Sequence, residues 1–269
     1  MFVAVATSIL HMLEPHFSFP RGAATEQIAL RWMHFVGGFI WIGLLYFFNL
    51  VGFPTMKQLD ASVRGKVFPV LMSRAMAWFR WSAFWTVLAG LRYFWMILAA
   101  DAQNAGNNRL ALRWFGEWLV IWLVAYALIY PFQLPNKGIL DNAWVRTIPI
   151  AAIVIAASEI VLDVNGGPQS SNSHLSISVG GGIGLLMLMN TWGVVWRAQK
   201  RLIAWTRTSV EQGTPMPAEA ERLARWAYIA SRVGFGYRFR CFSLWAPLNT
   251  ILFSAVLQID LRERLRSPA

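Results

Sequence analysis

Two of the four histidines in this chain fall in apolar stretches that are long enough to cross a membrane. His34 lies about one and a half turns into the first stretch, and His174 opens a later one. Two imidazoles at similar depth on different helices can ligate the iron of a b-type haem, which needs no cysteine attachment. One interpretation makes His34 and His174 axial ligands of a haem b, and the other makes them packing residues that donate hydrogen bonds.

The remaining metal-binding side chains are few. His11, Glu14 and His16, helped by His174, offer an alternative site for a metal ion. The single Cys241 excludes an internal disulfide, a Cys-x-x-Cys-His haem attachment and any multi-thiolate cluster built from this chain alone. We predict neither a dedicated metal site nor a catalytic residue, and the sequence leaves open whether the chain is an enzyme.

Four ionisable side chains other than histidine lie within the apolar stretches: Arg80, Arg92, Glu117 and Glu159. A charge at the centre of a membrane helix costs about 2.5–3.5 kcal/mol on insertion scales, so unpaired burial is unfavourable. Arg80 and Glu117 lie near helix ends and can reach the interface. Arg92 and Glu159 lie deeper, and we predict a structural ion pair between them rather than a proton path.

The elements that position these residues are long apolar helices. The run from 29 to 53 contains no fixed charge after Arg31, and about 20 apolar residues span a hydrocarbon core of ~30 Å. A backbone in lipid must satisfy its own hydrogen bonds, so each run is predicted to be helical. The fold class is therefore an all-α integral membrane bundle with about six spans: 29–53, 77–100, 115–134, 147–162, 173–196 and 241–259.

Two further helices are predicted outside the spans. Residues 1–28 form an interfacial N-terminal segment, and residues 29–269 form one transmembrane domain. The loop 197–240 contains an amphipathic helix that begins near Pro217 and lies on the membrane surface or packs under the bundle. Basic residues concentrate in the loops after the first, third and fifth spans, which places those loops in the cytoplasm and both termini in the periplasm of a Gram-negative cell.

Composition limits the class of partner. The chain is 57% hydrophobic and 14% charged, whereas soluble domains carry about 25% charged residues. The net charge of +11 does not indicate nucleic-acid binding, because the basic residues lie between the spans, where orientation and anionic lipids account for them. We expect a multi-pass inner-membrane protein whose partners are the lipid bilayer and other membrane subunits.

Several motifs carry a resemblance to a known family. Arg31 to Gly43 reads R-W-x-H-x-x-G-G-x-x-W-I-G, Trp78 to Thr86 reads W-F-R-W-S-A-F-W-T, and Ile183 to Asn190 reads I-G-x-x-M-x-x-N. With a weaker match from Leu244 to Phe253, these segments resemble, in order, the membrane domain of bacterial cytochrome c-coupled urate oxidases. The resemblance implies a helical membrane domain, and the family's cytochrome domain, which follows the last span, has no counterpart in this chain.

The resemblance is incomplete at its polar positions. Ser82 replaces a glutamate of the family, Ser178 replaces a histidine, and the segment 240–242 replaces His-Asn-Asn, so that only His34 matches among the polar intramembrane positions. A redox enzyme with so many acid–base and ligand positions replaced is expected to lose its chemistry. We therefore predict a non-catalytic membrane subunit of a larger respiratory, photosynthetic or oxidase-type complex. The alternative is a haem-binding redox domain that works with a separate cytochrome c.

Overall fold

The protein folds as an all-α bundle of long apolar helices, as the sequence predicts. The computed structural model describes residues 22–134, 143–227 and 229–230, and every regular element in this part of the chain is helical. In chain order the elements are α1 (Ala23–Tyr46), π1 (Phe47–Gly52), α2 (Phe53–Gln58), α3 (Ala61–Asn104), α4 (Arg109–Gln133), α5 (Ala143–Asn165), α6 (Asn172–Asn190), π2 (Thr191–Val195) and α7 (Trp196–Gln212).

Five helical rods in the described residues are long and apolar enough to cross a membrane. They are Ala23–Gln58, Ala61–Asn104, Arg109–Gln133, Val145–Asn165 and Asn172–Gln212. Four of them contain one predicted span each, and Arg109–Gln133 covers all but the last residue of the span 115–134. The sixth predicted span, 241–259, lies outside the described residues, as does most of the predicted interfacial segment 1–28. The first helix begins at Ala23, so the end of that segment belongs to α1.

The helices run further than hydropathy alone predicts. The helix α3 has 44 residues, equivalent to about 66 Å, which is roughly twice the hydrocarbon thickness. The predicted span at 77–100 is therefore only the membrane part of a rod that continues outside it. The fifth rod likewise continues through α7, whose surface is strongly amphipathic. The predicted loop helix is helical from 220 to 227, and Ala227 is buried, which favours packing against the bundle.

One half of the core joins α1 to α3. Gly37 lets the two backbones approach, because a Cβ at this position would lie 2.6 Å from Thr86 Oγ1 and 3.2 Å from the Ser82 carbonyl oxygen. Small residues at such crossings allow close helix packing in membranes. The apolar side chains of this half include Trp41, Leu45, Phe48, Met72, Met76, Phe79, Ala83 and Val194.

The other half of the core joins α3, α4, α5 and α6 around buried tryptophans. Trp118 and Trp122 are fully buried, and both indole Nε1–H groups donate to the Ser178 carbonyl oxygen, at 2.7 and 3.1 Å. Gly182 leaves the space that the Trp122 ring occupies, since a Cβ there would overlap the indole. Buried Trp side chains combine large apolar area with a hydrogen bond, so they tie α4 to α6.

Two wide helical turns interrupt the first and last rods. The segment π1 follows α1, and π2 separates α6 from α7. A side chain in or beside each segment donates to a carbonyl four residues earlier: Asn49 Nδ2 to Leu45 O at 2.9 Å, and Thr191 Oγ1 to Met187 O at 2.9 Å. Such side-chain bonds satisfy carbonyls where the regular ladder is disturbed, so the chain widens without breaking.

Candidate functional site

A cluster of polar side chains lies where α3 ends and α6 begins. Asp101 Oδ2 accepts the Ser171 backbone N–H and the Ser171 hydroxyl, each at 2.9 Å, and lies 3.2 Å from His174 Nδ1. Ser171 is also the N-cap of α6, because its Oγ accepts the His174 backbone N–H at 3.2 Å. One carboxylate oxygen thus fixes the start of α6 against the end of α3.

The His174 ring is fully buried among aromatic side chains. Its centroid lies 5.0 Å from that of Trp114 and 6.0 Å from that of Phe94, both in edge-on arrangements. Because Asp101 is an acceptor, the proton of the neutral ring is assigned to Nδ1, which leaves a lone pair on Nε2. This Nε2 is buried and has no hydrogen-bond partner among the described residues. No group of three or more His, Cys, Asp or Glu side chains among the described residues could hold a metal ion, so a metal at this ring has no further ligands there.

His34, on α1, contacts α3 at a different place. Its Nδ1 is 2.8 Å from the Thr86 carbonyl oxygen, to which it donates, and its ring packs where a Cβ on Gly90 would lie 3.2 Å away. Gly90 therefore makes room for the imidazole beside the α3 backbone. The arrangement ties α1 to α3, as the packing interpretation of His34 expects.

The structure does not bring the two predicted haem ligands together. His34 binds at the level of Thr86 and His174 at the level of Asp101, and these two levels are about 22 Å apart along α3. A single iron requires both ligand nitrogens within about 2 Å of it. The described geometry gives the bis-histidine site no support. The alternative site of His11, Glu14 and His16 lies outside the described residues.

Arg92 has a different partner from the one expected. Its Nε lies 2.7 Å from Glu26 Oε1 on α1, with 47% and 40% of the two side chains exposed, whereas Glu159 is exposed on α5. The pair joins α1 to α3 near one end of the bundle, where half-exposed partners contribute little to stability. Glu26 was not considered as a partner of Arg92 because the first helix was predicted to begin at Ala29.

The two serines at divergent positions of the family pattern bond within their own helices. Ser82 Oγ donates to the Phe79 carbonyl at 3.1 Å, and Ser178 Oγ donates to the His174 carbonyl at 2.8 Å. Both side chains are buried. A serine hydroxyl held in this way is satisfied locally, so it is a poor candidate for a general acid or base.

Three residues that match the family pattern do converge. Trp41, Met187 and Asn190 line a cavity of about 20 Å³ between α1, α3 and α6. Trp41 Nε1 and Asn190 Oδ1 are buried and lack hydrogen-bond partners among the described residues, and Asn190 Nδ2 donates to the Ala230 carbonyl at 3.0 Å. A space of this size accepts about one water molecule and is far smaller than a pocket for a purine.

Asp101 is the residue that reasoning from the sequence missed. The predicted second span ended at Ala100, so the carboxylate fell just beyond the residues considered as buried. The available signal was its position: an acid at a span end, on the same side of the membrane as His174, is a candidate partner for that histidine. Ser171, three residues before His174 at the start of a helix, was a second signal.

The comparisons with known proteins add no relative. No protein-family profile, no curated protein and no solved structure matches the chain.

Proposed function

We propose that this chain is a non-catalytic integral membrane subunit of a larger membrane complex, built on a scaffold like the urate oxidase membrane domain. The observation that carries the proposal is how the polar side chains of the apolar helices and their ends are used. Asp101, Ser171 and His174 join two helix ends, Ser82 and Ser178 bond within their helices, and His34 joins two helices. These groups serve as structural links rather than as acids or bases aimed at a substrate space.

An aromatic ridge on α1 is the surface we assign to a neighbouring subunit. Trp32, Phe35 and Phe39 follow the spacing of one helix face, and their exposed fractions are 68%, 77% and 83%. Rigid aromatic side chains lose little conformational entropy on association and are enriched in the centres of protein interfaces. The ridge faces away from α3, so a partner helix can pack on it without disturbing the bundle.

The experiment that tests this assignment is site-specific photo-crosslinking in native membranes. We expect a photoreactive amino acid at Phe35 to give a discrete protein adduct of higher mass, and the adduct to be lost when Phe39→Arg places a charge on the same ridge. The matched control is the same amino acid at Val120, which is 60% exposed on α4. Equal adduct patterns at Phe35 and Val120, or an adduct that survives Phe39→Arg, would contradict the assignment.

The second prediction concerns the alternative function as a redox domain. Membranes that contain the chain and added cytochrome c are expected to consume no urate above the rate of membranes that lack the chain, because Ser82 and Ser178 replace polar residues of the family. The measurement is urate loss with parallel reduction of cytochrome c. Turnover that disappears in His34→Ala, together with a haem absorption band in the purified protein, would support the redox enzyme instead.

A further inference from the structure

An arginine is enclosed by tryptophans on the surface of the bundle, where α3 passes π2 and α7. The Arg80 guanidinium carbon lies 3.9 Å from the ring centroid of Trp196, 5.7 Å from that of Trp192 and 6.0 Å from that of Trp81. The Trp192 Nε1–H donates to the Arg80 carbonyl at 3.2 Å, and Trp81 meets Trp192 edge-on with centroids 5.6 Å apart. We call these four residues the Arg80 cage.

The cation in this cage has no anionic partner within residues 22–134, 143–227 and 229–230. The ion pairs of the described residues include Arg92 with Glu26 and Arg113 with Glu117, whereas Arg80 has no carboxylate partner in the part of the chain that the structure describes. Its Nε is buried and donates no hydrogen bond to an acceptor in the described part of the chain. Indole rings attract a cation but accept no N–H bond in their plane, so the donors of the guanidinium fork are left for an anionic ligand.

The position of the cage along the membrane indicates which anion can reach it. Trp196, which lies over Arg80, is followed on α7 by Arg197, Lys200 and Arg201, and all three are exposed. Such a change from apolar to exposed basic residues is typical of the membrane–water interface, where Trp is enriched and lipid head groups are found. The cage therefore lies at the end of the apolar part of this rod.

A second cation follows the cage towards the aqueous side. Lys200 is one turn beyond Trp196 on the same face of α7, and it is exposed. Arg80 and Lys200 thus present two positive charges to the head-group region beside a hydrophobic wall of indoles. This combination suits an acidic head group whose acyl chains lie along the aromatic wall.

We propose that the Arg80 cage binds the phosphate of an anionic phospholipid at this interface of the membrane. The planar guanidinium donates two parallel hydrogen bonds to the phosphodiester oxygens, a geometry that Arg matches better than Lys. Trp192 and Trp196 hold the guanidinium in place and exclude water from one of its faces. The ligand neutralises a cation that has no counter-charge among the described residues, and this inference does not depend on the proposed subunit role.

The test is native mass spectrometry of the purified full chain in detergent, titrated with phosphatidylglycerol or with phosphatidylcholine of the same acyl chains. We expect the first phosphatidylglycerol to bind about tenfold more tightly than phosphatidylcholine, and the preference to fall to about twofold or less in Arg80→Gln. The control Arg197→Gln removes the same charge from the exposed residue beside Trp196 and is expected to keep the preference.

Two further arms keep the result interpretable. Equal binding of the two lipids by the unaltered chain would overturn the proposal without any variant. The proposal can therefore be tested even if Arg80→Gln does not fold. Displacement of phosphatidylglycerol by millimolar inorganic phosphate would identify a free-phosphate site and would also overturn it. Trp196→Leu keeps an apolar side chain but removes the ring over Arg80, and a several-fold weaker preference is expected.

Discussion

Gly182→Ala is expected to destabilise the protein by about 2–4 kcal/mol, although it adds only one methyl group. The new Cβ would overlap the Trp122 indole, which is fully buried and donates its Nε1–H to Ser178. The ring therefore has no free space to enter, and moving it breaks the hydrogen bond that ties α4 to α6. The measurement is thermal denaturation in detergent, followed by loss of the monodisperse peak in size-exclusion chromatography.

The same helix provides matched controls for this substitution. A Cβ on Gly180 or on Gly184 would meet no heavy atom within 4 Å. Gly180→Ala and Gly184→Ala are expected to be neutral or slightly stabilising, because alanine favours the helix over glycine by up to about 1 kcal/mol. The change in stability is thus expected to be large and unfavourable at Gly182 but neutral or favourable at Gly180 and Gly184. Similar destabilisation by all three substitutions would contradict the packing around Trp122.

Asp101→Ala is the second substitution with a large expected effect, a loss of about 3–5 kcal/mol of stability. It removes the acceptor of three donors, namely two on Ser171 and one on His174, and His174 has no access to water. Asp101→Asn keeps one carbonyl oxygen and is expected to cost about half as much. The measurement is the same thermal denaturation series.

A control substitution and a double mutant distinguish the loss of the Asp101 hydrogen bonds from the loss of one negative charge. Asp163→Ala removes an exposed carboxylate from α5 and is expected to change stability by no more than about 0.5 kcal/mol. In the background His174→Phe, one donor to Asp101 is already gone, so Asp101→Ala should cost less than it does alone. Strict additivity of the two substitutions would show that Asp101 and His174 act independently.

The sequence predicted the membrane helices well because each needs only a long run without fixed charges, which residues 29–53 show without any tertiary information. It did not predict their full lengths, because the aqueous parts of α3 and α7 depend on packing and amphipathic character rather than on hydropathy. The partners of the ionisable side chains were harder to predict than the helix lengths. Arg92 pairs with Glu26 and His174 with Asp101 because of helix register and crossing points, which are properties of the assembled bundle.

The glycines show the same limit. In the sequence, the run Gly180-Gly181-Gly182 is compatible with close helix packing or with space for a flat group, but it does not indicate which glycine is needed. The structure distinguishes them: Gly182 faces Trp122, while a Cβ on Gly180 would meet no atom of the described residues within 4 Å. Helix periodicity gives the angle between such positions, whereas the neighbour that each one meets follows from how α6 is rotated against α4.

The wide turn π2 sets the rotational phase between two segments of one rod. Each residue of an α-helix advances the face by about 100°, so an extra residue accommodated in a wide turn shifts everything after it by that angle. Deleting Gly193 would let π2 close to a regular α turn and would rotate α7 relative to α6. Trp196 and Lys200 would then turn away from Arg80 while the core around Trp122 kept its alignment. Val194, which belongs to the core half between α1 and α3, would rotate with them. One residue in this segment thus sets the alignment of the aqueous end of the bundle and of that core half together, independently of the core around Trp122.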